Sequence, residues 1–278
     1  MKKVVDHKKM GGMFTLFFLL LASGSVSAYS SVGAGICNCG DGTTTLGGSA
    51  TDACDDCEAA LNDNTNCAIQ VNYVGTVAIS NYVGTCINSP ANFNNKIFDC
   101  QGHMLDGDNI GVDFGIILDG KSGNTIKNCI ITEFYEGIDL RSSSNDNNLI
   151  NNIADNNGNH GIYIGHSGNN TLTGNTANNN QHNGLYITGS LTNTIESNTF
   201  CNNNQAGGIF WYDIVDLDAT YGDDNTCDTT DNYNDTGTTG CTYSCSGLPV
   251  PEFGFIGIAL AVLLTTPAFA YLLVGRRR

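Results

Sequence analysis

The chain has 278 residues, with 11 Lys and Arg against 27 Asp and Glu, a formal net charge of −16, and 41% hydrophobic but only 14% charged residues. Plain disorder is excluded, because it goes with low hydrophobicity and high charge density, and a nucleic-acid partner is excluded by the shortage of Lys and Arg for phosphates. The length allows one solenoid or barrel domain, or two small ones.

Seven of the eleven basic residues sit at the two ends, so the stretch between is more acidic than the total. Residues 1–28 combine a basic start, the apolar run Phe14–Ala22 and the small residues Ser25 to Ala28. That is the three-part pattern of a secretory signal peptide, cleaved after Ala28. The run is short for a membrane span, which takes about 20 residues. An exported chain with 12 cysteines, an even number, is expected to form disulfides.

Eight of them, Cys37, Cys39, Cys54, Cys57, Cys67, Cys86, Cys100 and Cys129, precede or enter the main repeats, and Cys201, Cys227, Cys241 and Cys245 follow at the other end. Residues 29–93 read as a Cys-rich N-terminal cap with first strands around Ile69–Val71 and Val77–Ile79. The Cys54-x-x-Cys57 spacing is read as part of this framework rather than as a zinc or redox motif, since no matching partner pair accompanies it.

Residues 94–211 are repetitive. GIIL at 115, GIDL at 137, GIYI at 161, GLYI at 184 and GIFW at 208 begin 22, 24, 23 and 24 residues apart. Between them recur NTIKNCII, NLINNIA, NTLTGNTA and NTIESNTF. Two short alternating strands per unit of this length suit one coil of a parallel β-helix, and the long amphipathic runs of a helical repeat are missing.

Alignment gives inward stacks: Ile116, Ile138, Ile162, Leu185 and Ile209; Leu118, Leu140, Ile164, Ile187 and Trp211; and Ile97, Ile126, Leu149, Leu172 and Ile195. A further column, Cys100, Cys129, Asn152, Asn175 and Asn198, reads as an amide ladder. At its start the two thiols either fill the amide place or bridge adjacent coils, which lie about 4.8 Å apart. The outward column Asp139, Tyr163, Tyr186 and Phe210 forms an aromatic strip, the best candidate surface for a sugar ligand.

Residues 212–248 read as a Cys- and Asp-rich C-terminal cap, whose Asp213, Asp216, Asp218, Asp223, Asp224 and Asp228 offer oxygen ligands for Ca²⁺ without a dedicated loop motif. Asn169 and Asn234 head glycosylation sequons. Residues 249–278 hold Pro-Glu-Phe253, an apolar stretch to Val274 and three terminal arginines. This is the length of a transmembrane helix, with the arginines on the cytoplasmic side.

The tail resembles the PEF-type sorting signals of archaeal surface proteins, which implies a membrane anchor and a sorting protease as partner. Gly254 stands where that pattern often has Pro. The stretch from about 94 to 211, with FDCQGHMLDGD, NTIKNC and the GIYI and NNTLTGNT units, resembles the right-handed parallel β-helix superfamily of pectate lyases, polygalacturonases and NosD-type periplasmic proteins. The fold class expected is therefore all-β, a right-handed parallel β-helix with disulfide-rich caps, a signal peptide and a C-terminal transmembrane helix.

The NosD resemblance implies copper, but His103, His160, His166 and His182 form no repeated Met-His or Cys-His cluster, Met104 standing beside His103 alone, and read as surface histidines. No catalytic or metal-binding residue and no cofactor is named. The function expected is a cell-surface-anchored β-helix protein, structural or glycan-binding, with glycans or envelope proteins as partners. The alternative is a polysaccharide hydrolase or lyase of the same fold. A lyase acting on a polyanion fits poorly with coils offering one arginine, Arg141.

Overall fold

A computed structural model describes residues 29–41, 50–76, 78–218 and 220–246. The signal-peptide and anchor readings of 1–28 and 249–278 lie outside the described residues, among which no helix is long and apolar enough to cross a membrane. The chain winds as a right-handed-type parallel β-solenoid of about six turns with three sheets.

The first sheet runs Ser30–Gly33, Ile36–Cys39, Gln70–Tyr73, Ile97–Asp99, Thr125–Lys127, Asn148–Ile150, Thr171–Thr173, Thr194–Glu196 and Tyr221–Asp223. The second is formed by Ile79–Tyr82, Met104–Gly107, Ile130–Thr132 and Ile153–Ala154, and continues through bridges at Thr176 into Thr199–Phe200 and Thr226–Cys227. The third takes Ile87–Asn88, Phe114–Asp119, Glu136–Arg141, Ile162–Gly165, Leu185–Thr188, Ile214–Asp216 and Thr230–Asp231.

Period-2 alternation turns one row of each strand inward, so Ile116, Ile138, Ile162 and Leu185 stack in register, as do Leu118, Leu140, Ile164 and Ile187. All eight are fully buried. The sequence alignment fails at both ends of the stacks. Phe98, not Ile97, pairs with Ile126 and points inward. Later coils turn their corner through a left-handed residue (Asn128, Asn151, Gly174, Ser197, Asp224), whereas no such residue precedes Cys100. That corner is one residue shorter, and counting back from Cys100 slips the phase.

At the other end GIFW is not a strand. Leu185 pairs with Ile214 and Ile187 with Asp216, while Ile209 is 80% exposed in a loop. A Trp in the column of Leu and Ile would overfill coils spaced about 4.8 Å apart. The later IVD segment brings Ile214 to the first column and the smaller Asp216, whose Oδ2 accepts from Thr220, to the second.

The N-terminal cap contains a helix, Ala50–Asn62, that the strand-only reading did not expect. Ala53, Cys54, Cys57, Ala60 and Leu61 form one buried stripe on it, at helical spacing. Disulfides Cys39–Cys57 and Cys54–Cys86 tie it to the coils and Cys37–Cys67 closes the chain around it. Cys100–Cys129 bridges two coils, and Cys201–Cys245 and Cys227–Cys241 hold the C-terminal cap. Buried Lys96 donates from Nζ to the carbonyls of Leu61 (2.6 Å) and Asp63 (3.0 Å), closing the helix's C-terminal end.

Polar ladders run through the corners. In the column Asn152, Asn175, Asn198 and Asn225, each backbone N–H and each amide Nδ2 donates to the next Oδ1 at 2.8–3.1 Å. Because donation points one way, the last member must be a pure acceptor, and Asp235 receives Asn225 on both carboxylate oxygens. Asp213 ends the column Asn157, Asn180, Asn203 in the same manner. Asp218 ends Ser144, Ser167, Ser190. Three of the eight aspartates of the C-terminal cap are thus ladder ends.

Candidate functional site

Outward residues of the third sheet and the turns that precede its strands enclose a cleft of about 610 Å³. Its floor is set by strand parity. Ile162 and Ile164 point in, so Tyr163 and Gly165 point out, beside Arg141 and Tyr186 of the neighbouring coils. Tyr163 and Tyr186 stack nearly parallel, with ring centroids 5.8 Å apart and 5° between their planes. Gly165 makes this possible, since a Cβ there would lie 2.6 Å from the Tyr163 ring.

The walls come from the turns. His160 stacks on Tyr186 at 4.9 Å, and His182 stacks on Trp211 at 3.9 Å. The two histidines are not equivalent. Asn183 N–H donates to His160 Nδ1 across 23 residues, and the His182 ring meets Asn159 Oδ1, also 23 residues away. His160 Nδ1 therefore accepts, while His182 Nδ1–H donates to the amide oxygen. Burial lowers the pKa of His160 to about 3, helped by His182, and burial lowers that of His182 as well. Both rings are neutral near pH 7. His160 is only 6% exposed, so reading it as a surface residue is corrected.

At the far wall Arg141 spans two carboxylates. It pairs with Asp139, through Nε to Oδ1 at 3.0 Å and a second contact to Oδ2, and with Glu136 at 3.7 Å. Its guanidinium lies 4.8 Å above the Phe114 ring. Glu136 is 5% exposed, and its Oε1 accepts from Asn159 Nδ2 at 2.9 Å. Burial raises its pKa to about 7 against the opposing pull of Asn159 and Arg141. Glu136, Asn159 and His182 thus form one hydrogen-bonded chain along the cleft.

Two expected ligand contacts are displaced. Asp139 has no exposed surface and lies beneath Arg141, so it positions the arginine rather than meeting a ligand. Phe210 does not continue the aromatic column: Val215 pairs with Tyr186, and Phe210 is 72% exposed in the loop before it. Trp211 of the same loop takes over as the third aromatic wall. Sequence reasoning missed Trp211, Arg141, Asn159 and the histidines as site members. The 23-residue spacing of Asn159 and His182, and of His160 and Asn183, carried the signal. Asn169 and Asn234 are both exposed.

The described residues give no copper centre. All described cysteines are disulfide-bonded, His160 and His182 have ring centroids 5.9 Å apart with both Nδ1 atoms engaged, and no group of three or more His, Cys, Asp or Glu is placed to hold a metal among the described residues.

A family model described as "Periplasmic copper-binding protein (NosD)" matches residues 59–243, about two thirds of the chain. No curated protein matches. Two solved structures are similar. One is the periplasmic alginate epimerase AlgG, at 16% identity and a TM-score of 0.32, over 62% of this chain and 39% of that one. The other is the A-module of the Azotobacter vinelandii mannuronan C-5 epimerase AlgE4, at 13% identity and a TM-score of 0.35, over 63% of this chain and 56% of the module. The chain therefore spans less than two thirds of either.

Proposed function

The chain belongs to the NosD family of periplasmic copper-binding proteins, and from that premise we propose that it is an exported, surface-anchored β-helix protein that binds a glycan in the third-sheet cleft. The observation that carries the reading is the parallel Tyr163–Tyr186 stack on the cleft floor, walled by His160, His182 and Trp211. Flat, partly exposed rings beside amide and hydroxyl groups suit a pyranose, whose one face is apolar and whose rim is polar. Neutral histidines add no charge to the aromatic surface. Export agrees with the family and with the signal-like segment 1–28. The apolar stretch 253–274 would hold the body at the outer cell surface, with the Pro-Glu-Phe motif as a sorting signal.

Copper has no part in this reading, because the donor set does not fit the ion. Two-carboxylate hydrolysis also lacks support: it needs both carboxyl groups flanking the bond to be cut, and Asp139 is fully buried under Arg141. A glycan array probed with the full-length protein and with the double variant Tyr163→Ala, Tyr186→Ala tests the proposal. Binding by the unmutated protein should fall by about tenfold or more in the variant, from the loss of two aromatic contacts. An unchanged array would leave only a structural role.

A further inference from the structure

A second hollow of about 400 Å³ lies beyond Trp211, lined by Asn202, Asn204, Tyr212, Asp228 and Thr229, and Trp211 borders both hollows. Resting on the glycan-binding reading above, we propose that the two are one path divided by Trp211, and that the ligand is a linear, uncharged oligosaccharide lying along the solenoid axis.

The direction follows from which coils supply the walls. Arg141, Tyr163 and Tyr186 belong to three successive strands of the third sheet. Trp211 precedes the next, Ile214–Asp216, and Thr229 precedes the last, Thr230–Asp231. Moving along the cleft is moving from coil to coil, four steps of about 4.8 Å or roughly 19 Å in all. One step is close to the length of one pyranose unit, so the path fits three to four units. Trp211 is placed at the third of these four steps, its indole held against His182 and its ring over Gly208, where a Cβ would lie 2.1 Å from it.

The lack of charge follows from the lining. Arg141 is the one arginine or lysine on either hollow, and it is committed to Asp139 and Glu136. Asp213 and Asp228 line the second hollow. Glu136 Oε2 is buried without a hydrogen-bond donor. Such a path offers amide, hydroxyl and ring N–H groups to the hydroxyls of a neutral sugar and no uncommitted cation to a carboxylate or sulfate.

The test is calorimetric titration of the full-length protein with β-1,4-linked gluco- and manno-oligosaccharides of two to six units, and with a uronic-acid tetramer as the charged probe. Affinity for at least one neutral series should climb about tenfold or more from two units to four and then level off, with the charged tetramer weaker than its neutral counterpart. Tyr212→Ala, which touches the second hollow alone, should abolish the gain beyond two units while leaving disaccharide binding within about twofold, whereas Trp211→Ala, on both hollows, should weaken short and long chains alike. Binding that does not improve past the disaccharide would overturn the extended path while sparing the cleft. A tighter charged tetramer would overturn the assignment to uncharged chains. No binding at any length would overturn the path together with the glycan reading it rests on.

Discussion

At the scale of the residue, the cleft keeps two groups, between about pH 4.5 and 6.5, in protonation states opposite to those they hold in water. Glu136 has its pKa raised to about 7 by burial, so its folded form holds a proton that the unfolded chain releases above about pH 4.5. Its contribution to stability is complete below about 4.5 and is lost as pH rises through about 7. His160 runs the other way. With its pKa lowered to about 3, its contribution is present above about 6.5 and is lost as pH falls through about 3. The two trends overlap between pH 4.5 and 6.5 and partly cancel, so each must be read as a difference from a variant. Melting temperatures measured from pH 3 to 8 should show Glu136→Gln gaining several degrees on the unmutated protein as pH rises from 5 to 8. His160→Gln should gain as pH falls from 6 to 3. A constant offset in either case would mean that the group titrates alike in both states.

At the scale of the element, stability rests on how ladders and helix end. Asp235 accepts from Asn225 N, Asn225 Nδ2, Tyr233 Oη, Thr242 N and Thr242 Oγ1 at 2.6–2.9 Å. Asp235→Asn would turn an NH₂ toward donors and should cost about 2–4 kcal/mol. Lys96→Met, which leaves the Leu61 and Asp63 carbonyls without their donor, should cost about 1–3 kcal/mol. Urea denaturation of each variant, with glycan affinity unchanged, checks both. A cost below about 0.5 kcal/mol for Asp235→Asn would show that the one-way ladder does not need an acceptor-only end.

These same ends mark where the sequence stops being legible. The central coils were readable because Ile, Leu and Asn recur at fixed phase from Ile116 to Ile195, and the hydrogen bonds across 23 residues keep that phase. The phase was lost at Ile97, where a corner is one residue shorter, and at Ile209, where a loop imitates the GIYI pattern. The cap helix was hidden by its composition, since Ala53, Cys54, Cys57, Ala60 and Leu61 make a narrow stripe that resembles a disulfide-rich loop. Tyr163 and Tyr186 were found from alternation alone. Trp211 was not, because its place depends on a turn rather than on a strand. His182 also escaped, since its partner Asn159 is a neighbour only once the coils are stacked.

At the scale of the whole molecule, each coil touches only the coils above and below, so stability is expected to vary along the axis. Both ends are stapled by disulfides, while the strands that carry the cleft, Glu136–Arg141, Ile162–Gly165 and Leu185–Thr188, lie between them. The site thus sits where fraying from either end arrives last. Removing the staple of the cap helix with Cys54→Ala and Cys86→Ala, a bridge across 32 residues, should cost about 2–4 kcal/mol locally. Amide hydrogen exchange should then quicken for Val71, Ile79 and Ile87, fade toward Ile116, and stay unchanged at Ile164, Leu185 and Ile195. Glycan affinity should remain within about twofold. Equal acceleration along the entire chain would instead show that the coils unfold as one unit, and that the cap protects the cleft directly.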